Sequence, residues 1–220
     1  MTAESGQAAS LTRRERDRAR RRSDIIDAAQ DLFFSRGFEK TTMNDIARMA
    51  ELGKPTLYAY FKSKDEILFH VHMKGDELKM ELLREAMRKG HNGYERLRAM
   101  GYAYFEFYQQ NPEYLRIQAN WDYRGYDFDR FGDGVGEAYR IWRMRFEELC
   151  RVYSDGVADG SLRGDLDVSR TVDFFFLTLR TIANQVILIR DPNATPLDSP
   201  DEGTYFDYLK LFLESIRARQ

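Results

Sequence analysis

An internal disulfide is excluded from the outset, because Cys150 is the sole cysteine in 220 residues. A single thiol fits a reducing compartment, and with no His/Asn partner pattern it reads as a filler on a helix face. Long apolar runs are also missing: no uninterrupted stretch approaches the 18 residues that a membrane-spanning helix needs. The opening "MTAESGQAASLTRRERDRARRR" lacks the apolar centre of a secretory signal. These absences point to the cytoplasm, with no membrane partner. Catalytic constellations are scarce too. His70 and His72 stand two apart, so on a helix they face different sides, and His91 is alone. No His follows a Glu by three, as a di-iron bundle would require. There is neither a phosphate-cradling glycine loop nor a nucleophile elbow. The expectation is a chain that is not an enzyme and holds no metal or cofactor.

What is present is apolar and unevenly charged. Hydrophobic residues make up 43% and aromatics 14%, enough for a sizeable core and against disorder over most of the length. The net charge is -2, yet residues 1 to 64 hold 13 Lys+Arg against 9 Asp+Glu, while the remainder holds 21 against 27. A basic front and an acidic back suggest two parts with different partners.

Apolar periodicity is helical and no strand alternation stands out. "TRRERDRARRRSD" opens with Thr12 and Glu15 at capping-box spacing; it reads either as a basic arm or as the start of a long first helix. Ile25, Ala28, Ala29, Leu32 and Phe33 mark one face of that helix, which Gly37 ends, with Phe38 placed for the apolar contact of a C-cap. Thr42 is the N-cap of a second helix with a Met43, Ile46, Ala47, Ala50 stripe. After a turn at Glu51-Leu52-Gly53, a very short helix covers about 54–61, and Ser63 with Glu66 caps a fourth. Further helices are expected near 65–89, 93–110, 112–119, 136–159, 168–190 and 204–218.

Two short helices joined by about three residues suggest a helix-turn-helix. At about 100° per residue, Leu57 and Phe61 fall together and would pack on Ile46 and Ala47. Opposite them lie Pro55 and Ala59, with Thr56 and Lys62 alongside; Tyr58 and Tyr60 occupy the flanks. A helix entering the major groove must bring its backbone close to base edges. Small Pro55 and Ala59 permit that approach, tyrosine hydroxyls on the flanks reach phosphates, and Lys54 reaches a base edge or a phosphate. From Gly53 to Lys64 there are three lysines and no acidic residue. The plainer alternative is an ordinary core helix whose basic surroundings are a solvated face.

The stretch "IIDAAQDLFFSRGFEKTTMNDIARMAELGKPTLYAYFKSKDEIL", Ile25 to Leu68, resembles the TetR family of bacterial transcriptional regulators. The GF after the first helix, TT before the second, DIA within it, TLY and YF in the third, and KSK opening the fourth all keep the family's order and spacing. The resemblance implies an all-α protein: an N-terminal three-helix helix-turn-helix domain, then a C-terminal helical bundle that dimerises and binds an effector. Carried over residue by residue, the family's usual DNA contacts fall on Thr42, Lys54, Pro55, Thr56, Tyr58, Tyr60 and Lys64. Glu51 departs from the pattern by standing where the family commonly has Gly; a left-handed backbone there would cost about 1 kcal/mol. Gly53 stands where a Ser or Thr cap is common.

The expected organisation is a basic arm at 1–22, a DNA-binding domain at 23–66 and a ligand-binding and dimerisation domain at 67–220. Apolar faces on two late helices exceed what one core requires. Phe175, Phe176, Leu179, Ile182, Val186, Leu209, Phe212 and Ile216 are therefore candidates for an intersubunit four-helix bundle. Tyr102, Phe105, Tyr108, Trp121, Tyr123, Phe128, Trp142 and Phe146 are candidates for lining an effector pocket. The function so read is a homodimeric regulator, a repressor on a pseudo-palindromic double-stranded DNA operator, released by a small-molecule effector. Two rivals stand beside it: a helical-bundle binding protein or enzyme with no DNA role, and a DNA binder without a ligand.

Overall fold

A computed structural model of the chain describes residues 12–124, 134–188 and 200–218. The chain forms two compact units, Met1–Val71 and His72–Gln220, and the division falls within one helix.

The first unit holds α1 (Arg13–Arg36), α2 (Met43–Met49), α3 (Lys54–Tyr60) and the start of α4 (Lys64–Met87). Thr12 and Glu15 form the expected capping box, so Arg13–Arg22 are the first turns of α1, not a separate arm. The apolar stripe of α1 is buried at Ile25, Ala28, Ala29, Leu32 and Phe33. Gly37 ends the helix at φ 84°, where its N–H reaches the Phe33 carbonyl, and the Phe33 and Phe38 rings meet at 5.3 Å. Ile46, Ala47, Leu57, Phe61, Ile67 and Leu68 complete this core. Ser63 Oγ accepts from the Glu66 N–H at 3.1 Å, but the Glu66 carboxylate reaches back to the Lys62 N–H, one residue before the capping-box position.

The second unit contains the rest of α4, then α5 (Gly93–Gln110), α6 (Pro112–Arg124), α7 (Gly134–Ala158), α8 (Val168–Ala183), continued by a π-helical turn (Asn184–Leu188), and α9 (Glu202–Ile216). Asn92, Asp167 and Asp201 cap α5, α8 and α9 through side-chain oxygens. α5 packs against α7 so closely that a Cβ on Gly93 would lie 2.2 Å from the Gly156 Cα. Its other side receives α9, where buried Tyr205 donates its hydroxyl to the Gly101 carbonyl at 2.8 Å. Burial raises that phenol's pKa far above the ordinary range. α6 runs five residues beyond the expected 112–119.

The segment Val168–Leu188 is, at 21 residues and mean hydropathy 1.2, long and apolar enough to cross a membrane. Arg170, Asp173 and Arg180 punctuate it, so it is not an uninterrupted apolar run. Its inner side, at Val172, Phe175, Leu179, Ala183 and Val186, is buried in its own unit. Packing thus accounts for these five apolar positions without a bilayer.

Candidate nucleic-acid interface

The turn between α2 and α3 decides how α3 is presented. Ala50 caps α2, Glu51 adopts φ 54°, the Glu51 N–H bonds the Arg48 carbonyl at 3.2 Å and the Leu52 N–H bonds Ala47 at 2.8 Å. That pair of bonds is the Schellman closure, which ordinarily takes glycine at the left-handed position. Glu51 therefore keeps the turn geometry and carries the strain. Gly53 then opens α3 in extended conformation, with Pro55 in the first turn, where a missing N–H costs nothing.

On α3 the exposed and buried positions divide by direction. Leu57 and Phe61 are fully buried against the core that contains Ile46 and Ala47. Lys54, Pro55, Thr56, Tyr58 and Ala59 are exposed, and Tyr60 is half-buried. The one face with neither core contact nor acidic side chains is thus the one bearing the candidate DNA contacts. Thr42 is exposed, but its hydroxyl is already engaged: it accepts from the Asp45 N–H at 3.2 Å and donates to the Asp45 carboxylate at 2.7 Å. Those bonds hold the Asp45 carboxyl below its usual pKa, with Arg36 and Arg48 nearby.

Lys64 has a structural task that the sequence does not reveal. Its ammonium donates to the carbonyls of Phe38 at 2.7 Å and Thr41 at 2.8 Å, and lies 4.0 Å from the Phe38 ring. It pins the start of α4 to the α1–α2 turn. Arg22 is a second long-range tie. It donates to the Tyr60 carbonyl at 3.0 Å, lies 3.7 Å from the Glu66 carboxylate and 2.6 Å from His70 Nε2, and covers the Phe61 ring at 4.2 Å. Burial, and then the adjacent guanidinium, hold the His70 pKa down to about 4, so its neutral ring accepts from Arg22.

A helix-turn-helix with this division of faces matches a known pattern. Residues 25–71 fit the sequence profile of the bacterial regulatory proteins of the tetR family. Residues 25–71 thus carry a DNA-binding module of the TetR type. Over 106 residues it is 32% identical to the HTH-type transcriptional activator FasR of Mycolicibacterium smegmatis, the match spanning 48% of each protein. Over 156 residues it is 28% identical to the HTH-type transcriptional repressor KstR2 of the same organism, covering 71% of this chain and 74% of KstR2. The solved structure of KstR2 from Mycobacterium tuberculosis superposes with a TM-score of 0.61 at 22% identity, covering 90% of this chain and 96% of that one. FadR of Bacillus halodurans, described as a fatty acid degradation regulator, gives 0.64 at 17% identity, covering 90% and 97%. The chain is a DNA-binding transcriptional regulator.

In the second unit, the described aromatic candidates on α5 face different directions. Positions 102, 105 and 108 walk about 60° round the helix at each step. Tyr102 is half-exposed and stacks on Phe206 at 4.7 Å, lining a surface groove of about 1180 Å³ along α5 and α9. Phe105 is buried against Tyr205 at 4.3 Å. Tyr108 points into a buried polar network instead. Its hydroxyl donates to Gln118 Oε1 and accepts from the Lys79 ammonium at 3.4 Å. Lys79 lies 2.6 Å from Asp76, which also pairs with Arg145. Phe146 is half-buried on α7. Phe128 lies outside the described residues, and Trp121, Tyr123 and Trp142 are described for their backbone alone.

Sequence reasoning missed this network, because a lysine and an arginine inside a helical bundle look like surface residues when read singly. The neighbouring cations hold the Asp76 carboxyl well below its ordinary pKa against the opposing effect of its burial, and burial holds His72, four residues earlier on α4, down to about 4. Asn184, on the π turn that packs against α6, has a buried Oδ1 with no hydrogen-bond partner.

The dimer candidates divide by burial within their own chain. Phe175, Leu179, Val186, Leu209 and Ile216 are buried within their own chain. Phe176, Ile182 and Phe212 are half-buried. The exposed apolar side chains of the same two helices are Phe174 (59% exposed) and Leu177 (48%) on α8, with Tyr208 (52%) and Leu211 (68%) on α9.

Proposed function

We propose that this TetR-family regulator is a cytoplasmic homodimer that represses transcription from a pseudo-palindromic operator and is released by a small-molecule effector. The observation that carries the reading is the division of α3. Its core face is closed by Leu57 and Phe61, while Lys54, Pro55, Thr56, Tyr58 and Ala59 stand open without an acidic neighbour in the helix. Small groups at Pro55 and Ala59 suit close approach to base edges, and Lys54 with the two tyrosines suits the phosphate walls. Lys64 and Thr42 act chiefly as anchors that hold the reading helix in place.

A homodimer is supported by the exposed Phe174, Leu177, Tyr208 and Leu211, an apolar surface of the kind that isologous contacts cover. An effector inside the second unit is supported by polar groups converging from α4, α5, α6 and α7, and by the orphaned Asn184 acceptor. Release then requires the effector to bind one spacing of the two reading heads better than the other. α4 belongs to both units by sequence and is the natural carrier of that coupling. The test is fluorescence anisotropy with duplexes tiling the gene's own upstream region. Specific, salt-dependent binding that falls at least tenfold in Tyr58→Ala supports the reading. Specific binding that is unchanged in Tyr58→Ala overturns the assigned face, and an upstream region bound no better than random duplex overturns the regulator's proposed target.

A further inference from the structure

We propose that the arginine-rich first turns of α1 form a second DNA-contact surface, gripping backbone phosphates that flank the sequence read by α3; the inference rests on the DNA-binding reading above. The inward stripe of α1 is apolar from Ile25 to Phe33, where it meets the core. Followed toward the N-terminus, the same stripe carries Arg14, Arg18, Arg21 and Arg22, all within about 60° of the Arg18 direction. Apolar side chains thus give way to guanidinium groups where the helix outruns the core. Every residue from Thr12 to Arg21 is exposed.

The stripe faces the reading helix. Arg22 donates to the Tyr60 carbonyl, and the Arg18 guanidinium carbon lies 6.0 Å from the centre of the Tyr60 ring. Arg14, Arg18 and Arg21 therefore continue past the C-terminal end of α3 on the side where Tyr60 meets a groove wall. Arg14 to Arg21 spans about 10 Å of helix axis, close to the rise of three base pairs along a duplex axis.

Charge accounting favours a polyanion over a merely solvated face. Residues 13 to 22 hold seven arginines against Glu15 and Asp17. Glu15 is committed to the cap, accepting from the Thr12 N–H and hydroxyl at 2.8 Å each. Like charges at i and i+4, as at Arg14, Arg18 and Arg22, weaken a helix, and phosphates laid along the row remove that repulsion.

The test compares two triple variants with the same change in net charge: Arg14→Gln/Arg18→Gln/Arg21→Gln on the inward stripe, and Arg13→Gln/Arg16→Gln/Arg20→Gln away from it. Binding is measured against salt on operator and on random duplex, with hydroxyl-radical footprints. The inward triple should lower the slope of log affinity against log salt by roughly 2 to 3, at about 0.9 per phosphate. It should weaken both duplexes alike and shorten the protected flanks, while the other triple changes the slope by less than about 1. Equal effects of the two triples would reduce the arm to a diffuse field and overturn the proposal, as would an unchanged slope and footprint in the inward triple. Failure of the wild-type chain to bind any duplex would overturn the DNA-binding reading together with this one.

Discussion

Arg22 joins the middle of α1 to the last carbonyl of α3: its Nη1–H donates to the Tyr60 oxygen at 3.0 Å while its guanidinium covers the Phe61 ring at 4.2 Å. The contact fixes the end of the reading helix rather than reaching for DNA. Arg22→Met keeps the apolar cover but removes the donor and leaves His70 without its cation. We expect operator affinity to fall about three- to tenfold, equivalent to about 0.7–1.4 kcal/mol, with the salt slope unchanged. A reduced slope in anisotropy titrations would instead make Arg22 a phosphate contact.

Glu51 occupies a left-handed backbone position at φ 54° that the Schellman bonds impose. Glycine has no Cβ to strain there, although it also adds freedom to the unfolded chain. Glu51→Gly should therefore stabilise the protein by a net of about 0.5 to 1 kcal/mol, and Glu51→Val should destabilise it by at least as much. Urea titrations of the three proteins check both signs. Operator affinity should stay within about twofold for Glu51→Gly, because the turn geometry is already the one glycine would give.

These two positions show what was legible in the sequence. The inward pair Leu57 and Phe61 and the caps at Thr12 and Thr42 follow from spacing within one helix or turn, while the left-handed residue at 51 is implied only by the family resemblance. The ties made by Arg22 and Lys64 join residues more than twenty apart, and no local pattern announces them. The network of Asp76, Lys79 and Arg145 escaped for the same reason: it assembles across α4 and α7, and each member alone resembles a solvated charge. On α8 and α9 the periodicity is apolar, but it does not say which apolar side the chain covers with itself. Phe175 and Leu209 turned inward; Phe174 and Leu211 did not.

Acid should weaken the protein in two stages. The His72 pKa is lowered to about 4 by burial, with Lys79, Arg145 and Arg180 adding to the effect and Asp76 opposing it. An unfolded histidine titrates near 6.5, so between those values the unfolded chain binds the extra proton. Stability is therefore full above about pH 6.5 and falls toward pH 4, by on the order of 2 kcal/mol from this group; His70 adds a contribution of the same sign. Asp76 has a depressed pKa, so its contribution is present above the ordinary carboxylate value and is lost only as pH falls further. Urea midpoints from pH 8 to pH 4 should decline in the wild type and decline less in His72→Gln. At pH 7.5, Asp76→Asn should cost about 3–5 kcal/mol, since it leaves Lys79 and Arg145 without their shared carboxylate. A pH profile identical in wild type and His72→Gln would show that the histidine ring titrates freely.

The two apolar sides of α8 and α9 make opposite predictions. Phe174 and Leu211 stand 59% and 68% exposed, and α8 packs against α9, so an apolar surface remains open on this pair of helices. Leu211→Glu should leave the fold intact, because its side chain displaces no core atom. It should weaken self-association at least tenfold, about 1.4 kcal/mol, by placing an unpaired charge in an isologous contact where it occurs twice. Phe175→Ala should do the reverse. It removes a ring that is 2% exposed, 5.2 Å from Phe212 and 5.6 Å from Phe176, and should cost about 3–5 kcal/mol of folding stability. Sedimentation equilibrium separates the two effects when read beside urea denaturation at fixed protein concentration, since an associating chain gains apparent stability from its partner. Unchanged association in Leu211→Glu, together with a weakened dimer in a still-folded Phe175→Ala, would mean that the partner is met through the face this structure closes.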